Sequence, residues 1–220
     1  MKEIFPNVFK IKNQVATKSV ARGYSVYGEK RLDEKDGEYR IWDPHKSKLA
    51  AAILNGLKGM PIKKGDSVLY LGIAQGTTAS HVSDIVGEEG IVLGVEISPK
   101  PFEKLLEVCA IRKNIIPILG DANKPEEYSE FVDKVDIVYQ DVAQRNQAEI
   151  LLKNAMKYLK KDGFAILVIK AKSIDVVKNP AELFRKELEK LKKEMVVLDT
   201  INLLPYDKDH MLVLLRPKQS

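Results

Sequence analysis

The chain has 220 residues, of which 45% are hydrophobic and 30% are charged, and its formal net charge is +5. This length allows one sizeable hydrophobic core. No apolar run reaches the roughly 20 residues that a membrane-spanning helix needs, the N-terminus lacks the features of a signal peptide, and the single cysteine, Cys109, excludes an internal disulfide. We therefore expect a soluble protein of a reducing cytoplasm, with no membrane association. The positive charge favours a polyanionic partner such as nucleic acid but does not establish one.

The first 42 residues have the pattern of short strands rather than helices. Apolar residues predict strands over 8–12 and 15–20, with a tight turn at Asn13-Gln14 between them, and further short strands over 24–27 and 39–42. Hairpins of this size are marginally stable alone and must pack on a larger body. We expect a small N-terminal β domain, residues 1–42, followed by a larger domain, residues 43–220.

The larger domain alternates strands and helices. Asp43-Pro44 predicts a helix start, because Asp is a favoured cap and Pro suits the first turn. Strands are predicted over 68–71, 91–96, 115–119, 135–139 and 164–170, and helices over 76–86, 99–112, 125–131, 144–159 and 180–194. Repeated βα units imply the α/β class, with a parallel sheet and helices on both faces. The last two strands, 195–203 and 210–215, form a predicted hairpin that puts an antiparallel strand at or near one edge.

The strand over 68–71 leads into a turn with two glycines, Gly72 and Gly76, and then into a helix. Glycine permits tight turning and close approach of the backbone to a ligand, and strand–turn–helix is how an α/β sheet forms a ligand site at the carboxyl edge of a strand. The spacing differs from the Gly-x-Gly-x-x-Gly of a dinucleotide site, and the turn lacks the Lys-Ser/Thr ending of a phosphate-binding loop. An adenosine ligand without a pyrophosphate therefore fits this turn best.

Three carboxylates follow the next strands of the predicted sheet. Glu96 lies 20 residues after Gly76 (96 − 76), a distance that suits hydrogen bonds to both hydroxyls of an adenosine ribose. Asp121 follows the third strand and could bind the adenine amino group, and Asp141 follows the fourth. Any one of them alone could be an ordinary surface carboxylate. Because the carboxyl ends of parallel strands share one edge, the set predicts a site for S-adenosylmethionine.

Five segments of the chain closely resemble the fibrillarin family, and the likeness extends over essentially the whole chain. These segments are 70–84, 120–122, 141–144, 172–175 and 209–211. The first is specific, because Tyr70 stands where the general methyltransferase turn has an acidic residue and Ala74 stands where it has a glycine. The resemblance implies a Rossmann-like class I S-adenosylmethionine methyltransferase fold. Its sheet has seven strands, mostly parallel with one antiparallel strand, and it carries a small N-terminal β appendage.

The resemblance also implies a function. Fibrillarins are S-adenosylmethionine-dependent RNA 2′-O-ribose methyltransferases, and the archaeal-type members are catalytic subunits of box C/D guide RNA ribonucleoproteins that modify rRNA and tRNA. The implied partners are the box C/D guide RNA with its target rRNA or tRNA, a Nop-domain scaffold protein, and a kink-turn-binding ribosomal-type protein. Two rival hypotheses stay open: a noncatalytic assembly subunit, and a methyltransferase of the same fold that acts on a protein or small molecule.

The resemblance implies site residues as well, beginning with a catalytic tetrad of Lys48, Asp141, Lys170 and His210. Lys170 would act on the 2′-hydroxyl as a base or as a cation that stabilises developing alkoxide, Asp141 would orient it, and His210 would orient the substrate or relay its proton. Taken singly, Lys48, Lys170 and His210 could equally be ordinary surface residues. The residues expected to contact the cofactor lie in the glycine turn and at three further strand ends: Gly72, Ala74, Gly76, Thr77, Thr78, Glu96, Ile97, Asp121, Ala122, Asp141, Val142, Ala143 and Gln144. No metal site is expected.

Overall fold

Five short strands from the first part of the chain form an antiparallel sheet in the computed structural model, which describes residues 1–218. They are β1 (Lys2–Phe5), β2 (Val8–Ile11), β3 (Gln14–Lys18), β4 (Arg31–Glu34) and β5 (Gly37–Trp42), in the spatial order β1-β2-β3-β5-β4. The predicted small β structure is confirmed, and β1 and β4 are additional to the predicted strands. The turn between β2 and β3 lies at Lys12-Asn13 rather than Asn13-Gln14, because Lys12 adopts the left-handed backbone conformation.

The predicted strand over 24–27 is wrong, and this segment is a loop. Its backbone turns around the buried carboxylate of Glu29, which accepts hydrogen bonds from the backbone N–H groups of Val26 and Tyr27 and from the hydroxyl of Ser25. Backbone donors that are satisfied in this way are not available to a neighbouring strand. Apolar and aromatic composition favoured a strand here, but a side-chain acceptor decided the local structure.

The first helix, α1 (Lys48–Leu54), begins later than predicted. Ser47 is its N-cap, whereas the carboxylate of Asp43 accepts a hydrogen bond from the backbone N–H of His45 at 2.9 Å and stabilises a turn. An Asp side chain can close a local turn as readily as it caps a helix, so Asp43-Pro44 marks a turn and not the helix start. The later start makes Lys48 the first residue of α1.

The rest of the described chain forms a second, larger sheet with helices on both faces. Its strands are β6 (Ser67–Leu71), β7 (Ile91–Glu96), β8 (Ile115–Leu119), β9 (Val135–Gln140), β10 (Leu159–Lys170), β11 (Met195–Asn202) and β12 (His210–Pro217). The helices are α2 (Thr77–Val86), α3 (Pro99–Ile111), α4 (Gln147–Tyr158), the short α5 (Ala171–Ile174) and α6 (Pro180–Glu194), with a 3₁₀ turn at Pro125–Tyr128. The seven strands lie in the order β11-β12-β10-β9-β6-β7-β8, and β12 is antiparallel to both of its neighbours. The predicted fold class is confirmed, including one antiparallel strand next to the edge.

Strand β10 begins at residue 159 rather than 164, and α4 begins three residues later and ends one residue earlier than predicted. Leu159 already pairs with Val135 of β9, and a bulge follows before regular pairing resumes at Phe164. Gly163 lies in this bulge, where a Cβ atom would be 2.6 Å from the carbonyl oxygen of Asp136. Gly163 therefore permits close passage of two strands. The predicted bounds of β7, β8 and α6 agree with the structure residue for residue.

Apolar side chains cover both faces of the larger sheet. One core lies under α1, α2 and α3 and includes Val15 and Trp42 of the small sheet, and the other lies under α4 and α6. The small sheet therefore shares a core with the helices it packs on, as its size requires. A division into two domains at residues 42 and 43 stays a prediction. None of the helices in residues 1–218 is long and apolar enough to cross a membrane.

A buried network of charged groups joins the small sheet to α2. Asp84 of α2 pairs with Arg40 of β5 at 2.8 Å and with Arg112 at 2.6 Å, and Arg40 also pairs with Glu29 at 2.6 Å. All four side chains are excluded from solvent. Because a buried charge is costly unless it is paired, each group depends on the others. The network fixes α2, the helix that follows the two-glycine turn, against the small sheet.

Candidate functional site

The strand order reverses direction around β6, and this reversal positions the candidate site. The chain proceeds from β6 outward through β7 and β8 on one side, and from β9 to β10 on the other. Ligands of open α/β sheets bind at the carboxyl ends of the strands at such a switch point. A pocket of about 350 Å³ lies there, and its lining residues come from five strand ends: Gly72, Ala74, Val95, Glu96, Ile97, Ser98, Gly120, Asp121, Ala122, Asp141, Val142, Ala143, Gln144 and Lys170.

The structure brings all the residues predicted to contact a cofactor into this pocket except Gly76, Thr77 and Thr78. Gly76 is the N-cap of α2 and faces Leu105 of α3, since a Cβ atom there would lie 3.1 Å from the Leu105 Cδ1 atom. The Thr78 hydroxyl donates to the Ser47 hydroxyl at 2.9 Å, and Thr77 lines a neighbouring groove. Contact of these three residues with a cofactor stays a prediction.

The turn after β6 passes very close to the end of β9. Gly72 has a φ of 76°, and a Cβ atom on it would lie 3.0 Å from the carbonyl oxygen of Asp141. The backbone N–H of Asp141 in turn donates to the carbonyl of Leu71 at 2.9 Å. Only glycine combines this backbone conformation with this proximity at no steric cost. The conformation of Gly72 therefore sets the position of Asp141.

Two carboxylates on the far wall of the pocket are oriented by nearby donors. Glu96 accepts from the backbone N–H of Ala74 at 2.8 Å through Oε2 and from that of Ser98 at 2.9 Å through Oε1. Asp121 accepts from the backbone N–H of Asn123 at 2.9 Å through Oδ1. The bond to Glu96 also accounts for the left-handed conformation of Ala74 (φ 51°), which is uncommon for a residue other than glycine. Each carboxylate keeps acceptor capacity for a ligand.

Two tyrosines lie beneath the turn. Tyr70 of β6 and Tyr139 of β9 stack with ring centroids 4.4 Å apart, and both side chains are buried. Burial raises the pKa of each phenol well above its ordinary value, and the negative charge of Asp141 raises the pKa further. Both phenols are therefore neutral under all physiological conditions. An acidic residue in place of Tyr70 would be buried beside Asp141, where the two negative charges would repel each other.

Asp141 connects two lysines at the mouth of the pocket. Its Oδ1 atom lies 2.8 Å from Nζ of Lys170, and its Oδ2 atom lies 3.3 Å from Nζ of Lys48. Lys170 also donates to the backbone carbonyl of Asp141 at 2.9 Å. All three side chains are largely buried. The structure thus brings three members of the predicted tetrad into direct contact.

The fourth member, His210, is connected to the other three through a residue that the sequence analysis missed. Asp207 lies 2.7 Å from Nδ1 of His210 through Oδ1 and 3.8 Å from Nζ of Lys48 through Oδ2. Its only sequence signal was its place in the polar turn 205–209 between the last two strands. The local sequence shows a turn there, and the packing of this part of the chain against α1 brings that turn to Lys48.

Gln147 is a second residue that the sequence analysis missed. Its buried side chain accepts from the backbone N–H of Lys170 at 2.8 Å and donates to the Lys170 carbonyl at 3.2 Å, and it also donates to the carbonyl of Gln144. Lys170 is the last residue of β10, and it still pairs with His210 of β12, whereas pairing with β9 ends at Leu167. Gln147 therefore takes the place of β9 on that side and fixes the backbone from which Lys170 reaches Asp141.

The strand order with its antiparallel β12, together with a nucleoside-sized pocket at the switch point, defines a Rossmann-like class I S-adenosylmethionine-dependent methyltransferase fold. A model of the family described as Fibrillarin matches residues 1–219. The chain therefore belongs to the fibrillarin family.

Individual relatives agree with this assignment. The chain is 51% identical to the fibrillarin-like rRNA/tRNA 2′-O-methyltransferase of Pyrococcus abyssi, over 98% of this chain and 97% of that protein. A solved structure of Aeropyrum pernix fibrillarin with natively bound S-adenosyl-L-methionine is 44% identical, with a TM-score of 0.87 over 94% of this chain and 92% of that one. The fibrillarin chain of a fibrillarin/Nop5p complex is 45% identical, with a TM-score of 0.91 over 99% of this chain and 100% of that one.

Proposed function

We propose that this chain is an S-adenosylmethionine-dependent RNA 2′-O-methyltransferase, the catalytic subunit of a cytoplasmic box C/D guide RNA ribonucleoprotein that modifies rRNA and tRNA. The observation that carries the proposal is the ion-paired series Lys170–Asp141–Lys48 at the mouth of the pocket. Two ammonium groups beside a nucleoside-sized pocket suit transfer to a hydroxyl, because they stabilise the negative charge that develops on its oxygen. The names of relatives about half identical to this chain support the same reaction.

The pocket fits S-adenosylmethionine, which supplies a methyl group on a positively charged sulfur. Each oxygen of Glu96 accepts one backbone hydrogen bond and keeps a lone pair for one hydroxyl of the ribose diol. Asp121 keeps its Oδ2 atom for the adenine amino group, and the exposed side chain of Ile97 offers an apolar surface to the adenine ring. Asp141 would face the methionine end of the cofactor. The bound cofactor of the Aeropyrum pernix relative supports this assignment.

The surface beside the glycine turn supports RNA as the substrate. A groove of about 660 Å³ there is lined by tyrosine side chains together with lysine side chains. Its members include Tyr24, Tyr27, Lys46, Gln75 and Lys104. The Lys46 Nζ atom lies 5.4 Å from the centroid of the Tyr27 ring. Aromatic and basic side chains side by side are typical of surfaces that bind single-stranded nucleic acid. Because Lys46 is two residues from Lys48 in the chain, a strand in this groove would lead toward the tetrad.

The proposed partners follow from the same family. A Nop-domain scaffold protein is supported by the solved complex of a relative with Nop5p. The guide RNA pairs with the target rRNA or tRNA and selects the nucleotide, and a kink-turn-binding ribosomal-type protein completes the assembly. The chain itself then needs no sequence-specific readout of RNA bases, since base pairing supplies the specificity.

The test is methyl transfer from labelled S-adenosylmethionine in a complex reconstituted from this chain, the guide RNA and the two partner proteins. We expect label on the guide-selected nucleotide and none on a target with a 2′-deoxyribose at that position. Lys170→Met should lower the rate by at least ~100-fold while S-adenosylmethionine affinity, measured by calorimetry, stays within about twofold because Lys170 acts on the hydroxyl.

Two outcomes would refute the proposal. Label that appears in protein or in a small molecule, with the RNA unlabelled, would favour a methyltransferase with another substrate. A complex that assembles normally but neither binds S-adenosylmethionine nor transfers its methyl group would favour the noncatalytic assembly subunit.

A further inference from the structure

Asp207 lies between Lys48 and His210, which no ion pair within the tetrad connects. Its Oδ1 atom is 2.7 Å from Nδ1 of His210, and its Oδ2 atom is 3.8 Å from Nζ of Lys48. The carbonyl oxygen of Lys208 is also 2.6 Å from Nδ1 of His210. The full series is therefore Lys170–Asp141–Lys48–Asp207–His210, in which two carboxylates alternate with two ammonium groups and the imidazole lies at the end.

The partners of Lys170, Lys48 and His210 in this series indicate which of these basic groups can accept a proton. Nζ of Lys170 donates to the backbone carbonyl of Asp141 and lies 2.8 Å from the Oδ1 atom of its carboxylate, and Nζ of Lys48 lies beside two carboxylates. An ammonium group in such a position is a donor without a free lone pair. Both lysines are thus placed to stabilise negative charge and not to accept a proton.

His210 has the opposite arrangement. Both groups near Nδ1 are acceptors, a carboxylate and a carbonyl, so Nδ1 must carry the hydrogen. Nε2 has no hydrogen-bond partner among residues 1–218. In the neutral imidazole with Nδ1 protonated, Nε2 holds a lone pair and accepts hydrogen bonds. The ring is 20% exposed, and His210 is the cross-strand partner of Lys170, so that lone pair is accessible to a ligand beside Lys170.

We propose that Asp207 is a positioning residue that, together with the carbonyl of Lys208, holds the Nδ1–H form of His210 and orients the ring, and that Nε2 of His210 accepts the proton of the substrate hydroxyl. The inference rests on the proposed function for the identity of that hydroxyl. The proton passes from the 2′-oxygen to Nε2 while the oxygen bonds to the methyl carbon, and the sulfur–methyl bond breaks with its electron pair left on sulfur. The imidazolium that forms is stabilised by the carboxylate of Asp207, and it returns the proton to water.

A spectroscopic test addresses the ring itself, independently of activity. The chain has three histidines, His45, His81 and His210, so His210→Gln assigns the signals of His210 in long-range ¹H–¹⁵N spectra of the intact protein. At a pH where the ring is neutral, we expect the ¹⁵N shift of a protonated nitrogen at Nδ1 and of an unprotonated one at Nε2. The reverse pattern would overturn the proposal, whether or not the chain methylates RNA.

A double-mutant cycle tests whether Asp207 acts through His210. In the reconstituted complex, Asp207→Asn should lower the single-turnover rate by ~10- to 100-fold, because one amide oxygen cannot serve both Lys48 and His210. In a chain that already carries His210→Gln, the same change should cost less than about twofold. Losses that multiply would overturn the proposal. Unchanged S-adenosylmethionine affinity and melting temperature show that the variants are folded.

Asp209→Asn is the matched control for this cycle. Asp209 lies in the same turn, and its side chain makes no hydrogen bond in the described part of the chain. Its φ of 60° is a conformation that asparagine also adopts readily. The control removes the same charge from the same turn and should leave the rate within about twofold of the wild-type value. A loss equal to that of Asp207→Asn would show that charge in the turn, and not contact with His210, sets the rate.

Discussion

Replacement of Gly72 by alanine tests how the two-glycine turn controls the site. An alanine in the left-handed backbone conformation of Gly72 lowers the stability of the folded protein by ~1–2 kcal/mol. The new Cβ atom would also lie 3.0 Å from the carbonyl oxygen of Asp141 and 3.1 Å from Cγ1 of Val142. Ordinary van der Waals contact is 3.4–4 Å, so Asp141 must move by a few tenths of an ångström. Lys170 binds that same carbonyl at 2.9 Å and would move with it.

The expected result has two separable parts. Misplacement of a catalytic group by about 1 Å costs on the order of 100-fold in rate, so a shift of a few tenths should cost ~10-fold. The backbone strain should lower the melting temperature by about 2–8 °C, at 2–4 °C per kcal/mol for a chain of this size. Single-turnover methyl transfer and thermal unfolding measure these two effects, and calorimetry of S-adenosylmethionine binding reports on the pocket itself.

Gly65→Ala separates strain from displacement. Gly65 has a similar φ of 84°, and nothing lies within 4 Å of the Cβ atom that would be added. It lies in the turn before β6, outside the pocket. We expect the same loss of stability with unchanged affinity and rate. If Gly72→Ala leaves affinity and rate equal to those of Gly65→Ala, the proximity of Gly72 to Asp141 does not control the site.

Three further predictions concern stability, RNA binding and reactivity. Arg40→Met should destabilise the protein by ~3–5 kcal/mol in denaturant unfolding, because it leaves the buried carboxylates of Asp84 and Glu29 without the cation that pairs with both. A decrease in the free energy of unfolding of less than about 1 kcal/mol contradicts this. Lys46→Glu should weaken binding of guide–target RNA to the complex and reduce the salt dependence by about one phosphate contact; an unchanged salt slope excludes Lys46 from the RNA path. Burial raises the pKa of the Cys109 thiol to about 11, so its thiolate is scarce at pH 8. The alkylation rate of Cys109 should therefore be much lower than that of a free thiol at pH 8 and should increase as the pH approaches 11. A rate equal to that of free cysteine contradicts the burial.

The sequence by itself determined the alternation of strands and helices and the edge of the sheet where the site lies. Strands β7 and β8 and helix α6 were predicted to the residue, because short apolar runs and helical periodicity are local signals. The carboxylates Glu96, Asp121 and Asp141 could be assigned to one edge because parallel strands present their carboxyl ends together. The residues that carry the resemblance to fibrillarins, Tyr70 and Ala74 among them, lie in one continuous segment.

Only the tertiary structure decided how the side chains of the site connect. Residues 24–27 have the sequence pattern of a strand, but they form a loop around the side chain of Glu29. Asp43 was expected to cap a helix, but its side chain closes a turn. A side chain's choice between a local and a distant partner depends on what the fold brings near it, and the local sequence does not contain that information. Lys48 meets Asp207 because the segment before β12 lies against α1, where the Asn55 side chain donates to the carbonyls of Asn202 and Leu204. The sequence identified His210 as a candidate, and the fold connects Asp207, three residues earlier in the chain, to Lys48.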